Sequence, residues 1–320
     1  MEMKKKIALI GHGFLGKWHA QKLNSHQNIN FYAIVESRFE VHEEIKKNYP
    51  QVKILSHIND VINEIDAAVI SSPTSSHFEL VKILLASGIH VFCEKPLIQN
   101  DLQATEIKKI YDAAKIKYPN LILQVGHSER CHAIWNKILP FYENKNVSRY
   151  TSFIRKGAFK NRATDVSVVE DLMIHDIDLA LMLLQKSPIA VQALGQKLKT
   201  KQYDEVHAII DFPGNERVAI SASRIQFMDE RLMNMVSAQA SVQVDLKNLT
   251  FSMTDESSAE IISQESYEKR DHLLVQQQEF IHSIIHQVEP RVGLVEGVAP
   301  IKIISAIIQS CDQAGSIIKL

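Results

Sequence analysis

Two hydrophobic periodicities divide the chain. From the start to about Gln124, short continuous apolar runs alternate with stretches whose apolar residues recur at helical spacing. The runs are Lys6–Ile10, Asn30–Val35, Ala67–Ser71, His90–Cys93 and Leu121–Gln124. A strand buried on both faces needs no polar side, so it reads as an unbroken apolar run. Between them, Phe14–Leu23, Phe78–Ser87 and Leu102–Lys117 carry the pattern of amphipathic helices. Gly88 stands just past the second of these, where a glycine closes a helix. Strict alternation of strand and helix predicts a doubly wound parallel sheet.

After about Val168 the pattern changes. One helix is predicted over Val169–Leu184, stopped by Ser187-Pro188. The apolar period then becomes two, over Ala190–Lys199, Glu205–Phe212, Arg217–Ile225, Arg231–Ala238 and Ser241–Asp245. Phe212-Pro213-Gly214-Asn215 is a hairpin turn. Consecutive strands with short turns predict an open, mainly antiparallel sheet, and helices around Leu273–His286 and Val298–Ser316 close the chain. One helix covers only one face of such a sheet. A second copy of the chain is expected on the other face, giving a homo-oligomer, dimer or tetramer.

Composition removes several function classes. The 320 residues are 45% hydrophobic and 23% charged with a formal net charge of -1, so no bulk field draws nucleic acid or an anionic membrane. The basic start, Met1–Lys6, leads into an apolar run that Gly11 ends too soon for a secretory leader. No segment reads as the roughly 18 apolar residues that span a bilayer. Cys93, Cys131 and Cys311 stand far apart and odd in number, which points to a reducing cytoplasm rather than a disulfide framework. No Cys/His spacing resembles a metal site, and none is expected.

Gly11-His12-Gly13-Phe14-Leu15-Gly16 directly follows the first strand and opens the first helix. The first glycine allows the tight turn, the second lets a pyrophosphate approach the backbone, and the third lets helix pack on strand. The phosphates then meet the unpaired amides of a helix N-terminus. Glu36 ends the second strand, where a carboxylate hydrogen-bonds the adenosine ribose and repels a 2′-phosphate. Arg38 lies two residues on and suits a 2′-phosphate, but the acidic strand end favours NAD over NADP. Ser72-Pro73-Thr74, with His77 beyond it, follows another strand end, and ligands of such sheets bind past the carboxyl ends of strands. These features define a Rossmann dinucleotide-binding domain over residues 1–127 and an α+β domain over 128–320 for substrate and oligomerisation, with the crossover near Gly126–Arg130.

Glu94-Lys95-Pro96 follows the strand His90–Cys93 and so emerges on the cofactor edge, where a lysine can polarise a substrate oxygen. On the Val169–Leu184 helix, Asp171 and Asp178 stand one turn either side of His175. A histidine beside a carboxylate suits a general base near neutral pH. Arg130, Arg155, Lys156, Lys160 and Arg162 form a basic group at the crossover and beyond, fit for a diphosphate substrate or simply solvated.

Taken together, the Gly11–Gly16 loop, Pro73-Thr74, Glu94-Lys95-Pro96 and Asp171-x-x-x-His175-Asp176 resemble the glucose-fructose oxidoreductase / inositol dehydrogenase (Gfo/Idh/MocA) family over essentially the whole chain. The resemblance implies an NAD-dependent dehydrogenase in which Lys95 and His175 are the catalytic pair, supported by Asp171. A narrower likeness runs through Gly126-His127-Ser128-Glu129-Arg130 and Arg162–Val166 to the family's bacterial UDP-N-acetylglucosamine 3-dehydrogenases. The chain departs from that branch at Cys131-His132-Ala133, where the branch has Phe-Asn-Pro. The branch implies oxidation of the sugar 3-hydroxyl with NAD in lipid A biosynthesis; of the basic group, Arg130, Arg155 and Arg162 are the residues expected toward a diphosphate. Another polyol, a free sugar or an imine as substrate, and a non-enzymatic NAD-binding sensor or scaffold, stay open beside it, as do the roles of His127, Glu129 and His132.

Overall fold

The computed structural model describes residues 4–144, 147–255 and 261–320; Met1–Met3 of the basic start lie outside these. The chain forms two compact units: the N-terminal stretch through Ser128 together with Asp271–Val298, and Glu129–Arg270 together with Ala299–Leu320. Residues 271–298, which follow the 127/128 boundary in sequence, thus cluster with the first unit.

The first unit is built from β1 (Lys5–Ile10), α1 (Phe14–Ser25), β2 (Ile29–Val35), α2 (His42–Asn48), β3 (Lys53–Leu55), β4 (Ala67–Ile70), α3 (His77–Ala86), β5 (His90–Glu94), α4 (Asp101–Lys117) and β6 (Leu123–Gly126). The strands run parallel in the order β3-β2-β1-β4-β5-β6. The order reverses between β1 and β4, and a crevice opens past the carboxyl ends of strands at such a reversal. Ile7–Leu9 and Ala67–Ile70 have no exposed surface, which is why their sequences carry no polar alternation. The buried stripe Gly16, His19, Ala20 and Leu23 seats α1 on the sheet. Gly88 adopts φ +76 just past α3, as its place in the sequence predicts.

Helix α8 (His272–His286) completes this core: Phe280, Ile281 and Ile284 cluster with Leu9, Leu23 and Phe92. The Asp271 side chain caps α8 by accepting from the Leu274 N–H. Strand β3 and helix α2 escape the sequence pattern because one has three residues and the other buries only Ile45.

The second unit contains the short helices α5 (Trp135–Ile138) and α6 (Pro140–Glu143), β7 (Arg149–Lys156), a π-helical turn (Val169–Met173), α7 (Ile174–Leu184), β8 (Ala190–Gln196), β9 (Glu205–Phe212), β10 (Glu216–Ser223), β11 (Glu230–Ser237), β12 (Ala240–Asp245), β13 (Thr250–Asp255) and β14 (Ser263–Ser266). Helix α9 (Leu294–Asp312) and β15 (Ile318–Lys319) end the chain. The nine-stranded sheet has the order β14-β13-β12-β11-β7-β10-β9-β8-β15. Only β7 and β10 pair in parallel among its described strands.

Periodicity hides β7 because its buried face is Arg149, Thr151, Phe153 and Arg155, with one apolar residue among them. Each arginine is matched: Arg149 meets Glu216 at 2.9 Å and Arg155 meets Asp176 at 2.8 Å. On the opposite face Tyr150 and Val236 stand across from one another, half exposed, with Ile209 and Leu194 also open to solvent.

Helix α9 is long and apolar enough to cross a membrane by composition, contrary to the sequence reading. Half of that stretch is buried, and Ile301, Ile303, Ile304 and Ile307 are core residues.

Candidate active site

In the first unit, Gly11, Gly13, Glu36, Ser72 and Pro73 line one cavity of about 810 Å³, a volume typical of a small-ligand pocket. Gly11 has φ +90, and a Cβ on it would lie 2.7 Å from the Ser72 backbone. A Cβ on Gly16 would collide with the Gly11 carbonyl oxygen, whereas Gly13 faces open space. No side chain caps α1, so its first amides remain aimed at the loop mouth beside the exposed Phe14 and Leu15. This arrangement fits a dinucleotide, with the uncapped helix end toward its phosphates.

Glu36 anchors the far end of the cavity. Its carboxylate accepts from the His12 N–H at 2.9 Å, the Arg38 N–H at 3.1 Å and the Arg38 guanidinium at 3.0 Å on each oxygen. Burial alone pushes the carboxyl up, but these donors outweigh it and hold Glu36 at about 2. The carboxylate expected to read a ribose and the arginine expected to suit a 2′-phosphate are therefore bound to each other.

Two residues expected on the cofactor edge face inward instead. The His77 ring lies 2.8 Å from the Pro96 carbonyl and 2.9 Å from the Ser72 carbonyl, tying the loop after β4 to the loop after β5. Glu94 meets His19 at 2.9 Å, and Gln277 donates to the other nitrogen of His19 at 2.7 Å. Both are consumed in holding the loops that present Thr74 and Lys95. Lys95 is half-buried at the end of β5, and its bond to Pro96 is cis.

In the second unit, the helix predicted as continuous over Val169–Leu184 opens with the π-helical turn, and Asp171 sits in that turn. Turns of this kind concentrate at functional sites. Asp171 and His175 are both half-buried. The exposed Arg162 places its guanidinium 3.6 Å from Asp171.

Asp178 does not share this openness. It is fully buried and receives both arms of Arg130, at 2.9 and 2.7 Å. Asp176 likewise receives Arg155 at 2.8 to 3.1 Å. Burial raises the Asp176 carboxyl even against that arginine. The expectation that Arg130 and Arg155 face a diphosphate is corrected by this geometry: a buried guanidinium already forked onto a carboxylate has few donors to offer a ligand. Of the three arginines, only Arg162 is exposed.

Glu129, whose role the sequence left open, belongs to the same neighbourhood. Its carboxylate lies 3.4 Å from Arg155, 3.3 Å from His132 and 3.7 Å from Arg231. Burial pushes it up, but Arg155, His132 and His175 around it hold it well below the usual carboxylate range. Glu129 is thus a buried anion in the field of His175. The Gly126–Arg130 motif was its one sequence signal, and that signal names no partner.

The sequence matches the oxidoreductase family with NAD-binding Rossmann fold, GFO_IDH_MocA, over residues 5–127, and the GFO/IDH/MocA C-terminal domain over residues 145–244. A UDP-N-acetylglucosamine 3-dehydrogenase of Acidithiobacillus ferrooxidans is 28% identical over 314 residues, 95% of each chain. An inositol 2-dehydrogenase of Rhizobium meliloti is 26% identical over 239 residues, 69% of each chain. Among solved structures, the Acidithiobacillus ferrooxidans enzyme superposes with a TM-score of 0.86 at 24% identity, covering 97% of this chain and 99% of the other. An oxidoreductase from Agrobacterium radiobacter in complex with NAD+, L-tartaric acid and magnesium superposes with a TM-score of 0.84 at 16% identity, covering 99% of this chain and 98% of the other.

Proposed function

Because the chain belongs to the GFO/IDH/MocA family of oxidoreductases, we propose that it oxidises a ring hydroxyl of a sugar nucleotide, the 3-hydroxyl of UDP-N-acetylglucosamine, with NAD. The carrying observation is the whole-length similarity to the Acidithiobacillus ferrooxidans enzyme, supported by a half-buried His175 with Asp171 in the turn that leads into its helix. NAD, when bound, supplies the hydride acceptor. His175 accepts the hydroxyl proton, and Lys95 donates a hydrogen bond to the same oxygen as charge builds on it. Asp171, in the turn that leads into α7, supports the imidazole, and the Glu129 anion favours the protonated ring that results. Asp178, committed to Arg130, keeps α7 in place.

Glu36 at the strand end favours NAD; to meet the ribose its buried carboxylate exchanges one bond from the exposed Arg38 for a ribose hydroxyl. The open sheet face around Tyr150, Ile209 and Val236 is the surface through which a second copy docks. A cytoplasmic setting fits the wide spacing of the cysteines.

An inositol or other polyol is the second reading, favoured by the similarity to the inositol 2-dehydrogenase. Absorbance of reduced nicotinamide separates the two. The protein is mixed with NAD or NADP and with UDP-N-acetylglucosamine, other nucleotide sugars, inositol or glucose, in the presence of a carbonyl trap. Reduction with UDP-N-acetylglucosamine and NAD is the expected result; turnover only with inositol or a free sugar would replace the substrate and leave His175 and Lys95 in their roles.

A further inference from the structure

We propose that the second unit carries a nucleoside-diphosphate pocket between loops 157–166 and 197–203, and that this pocket, rather than Arg130 and Arg155, receives the phosphates of the substrate. The proposal rests on the sugar-nucleotide reading above and adds the place where the nucleotide binds.

Between the two loops lies an open hollow of about 700 Å³ lined by Phe159, Asn161, Thr164, Lys199, Lys201 and Gln202, with Asp165 also on its wall. In a chain of net charge -1 these loops gather Lys160, Arg162, Lys197, Lys199 and Lys201. Asp165, Asp204 and the Asp171 beside Arg162 stand against them, and Asp204 is spent internally. It is buried and accepts the N–H groups of Leu198, Lys199 and Thr200 at 2.8, 2.6 and 2.9 Å, together with Arg224 Nε at 2.9 Å. The local field is therefore positive, as an anionic ligand requires.

The walls are built rather than loose. Arg224, paired with Asp204 under one loop, donates to the carbonyls of Ala163 and Val166 in the other, at 2.7 and 3.0 Å. Lys199 Nζ lies 4.5 Å from the centre of the Phe159 ring and joins the loops from above. One buried ion pair thus fixes both walls before any ligand arrives, which lowers the ordering cost of binding.

The chemistry suits a nucleotide. Two ammonium groups meet phosphate oxygens, with Lys199 held over the Phe159 ring, and the Asn161 and Gln202 amides offer donors and acceptors to a base edge. The pocket also adjoins the candidate catalytic turn: Arg162 of one loop reaches Asp171 at 3.6 Å, and Tyr203 at the end of the other accepts the Val168 N–H at 2.9 Å.

The test compares the full chain with its Lys199→Ala/Lys201→Ala variant, with NAD affinity as the check that both are folded. Calorimetry with UDP should show affinity falling roughly tenfold to hundredfold in the variant. Uridine should bind both proteins alike, because the lysines read phosphate. With UDP-N-acetylglucosamine and NAD, KM should rise much more than kcat falls. Absence of UDP binding in the unaltered protein, equal UDP affinity in the variant, or an equal loss for uridine would each overturn the pocket. If the unaltered protein binds UDP and the variant does not, yet UDP-N-acetylglucosamine is not oxidised, the pocket stands and the sugar assignment falls.

Discussion

Replacing Asp178 with Asn separates a structural role for this carboxylate from a catalytic one. Its side chain is 1% exposed and that of Arg130 is 7% exposed, with two hydrogen bonds joining them. The substitution keeps the shape but leaves a buried guanidinium without its counter-charge, which typically costs about 3–5 kcal/mol. For a domain of this size each kcal/mol lowers the melting temperature by roughly 2–4 °C, so the second unit should melt roughly 6–20 °C lower. Thermal unfolding by circular dichroism reads this directly. Turnover per folded molecule, measured well below the transition, should stay within a few-fold. The double variant Arg130→Met/Asp178→Leu removes both charges and should regain most of the loss, since an apolar pair of similar volume often equals a buried ion pair. An unmoved melting temperature with collapsed kcat would refute the reasoning and return Asp178 to orienting His175. A double variant as unstable as the two single losses added together would also refute it.

Gly16→Ala should weaken NAD binding roughly tenfold or more, because the new methyl meets the Gly11 carbonyl and overpacking costs about 1–3 kcal/mol; titration of protein fluorescence checks it, and unchanged affinity would mean the loop can yield. Glu129→Gln removes an anion beside His175, so the acid limb of the kcat/KM profile should move to lower pH. The groups facing Glu129 besides His175 are Arg155, His132, Arg231, Asp176 and Tyr267, and a uniform drop without a shifted limb would make Glu129 merely structural. Glu36 has its carboxyl lowered from 4.5 to about 2, so the stability it contributes is full above pH 4.5 and vanishes as the pH falls through about 2. The stability gap between the protein and its Glu36→Gln variant should close across that interval in acid denaturation, and a gap independent of pH would contradict the assignment.

The first unit was legible in sequence because interior parallel strands are buried on both faces and leave no ambiguity of period. The positions of the glycine loop, Glu36 and Lys95 at strand ends were legible for the same reason, because a strand end is fixed once the strand is. What the pattern could not carry was pairing at a distance. Strand β7 buries two arginines whose acids lie on β10 and α7, so a hydrophobicity reading sees a polar stretch where a central strand lies. The same blindness made Arg130 and Arg155 look like phosphate ligands: composition gives the charge of a side chain but not which carboxylate has claimed it. His77 and Glu94 failed for a related reason, because a strand end locates a residue without choosing the direction in which its side chain turns. The spacing of Asp171, His175 and Asp178 assumed an unbroken α-helix, and the π-helical turn alters the relation of the first to the second.

The chain passes from one unit to the other after Ser128, again after Arg270 and a third time after Val298. Neither half can therefore be lifted out with a single cut. A fragment ending at Ser128 would hold the entire parallel sheet yet lack Phe280, Ile281 and Ile284, and would carry an oily scar where α8 belongs. A ribosome finishing that sheet must wait for some 140 further residues before its last covering piece emerges. Swapping one half for a relative's would therefore mean splicing the gene at three junctions rather than one.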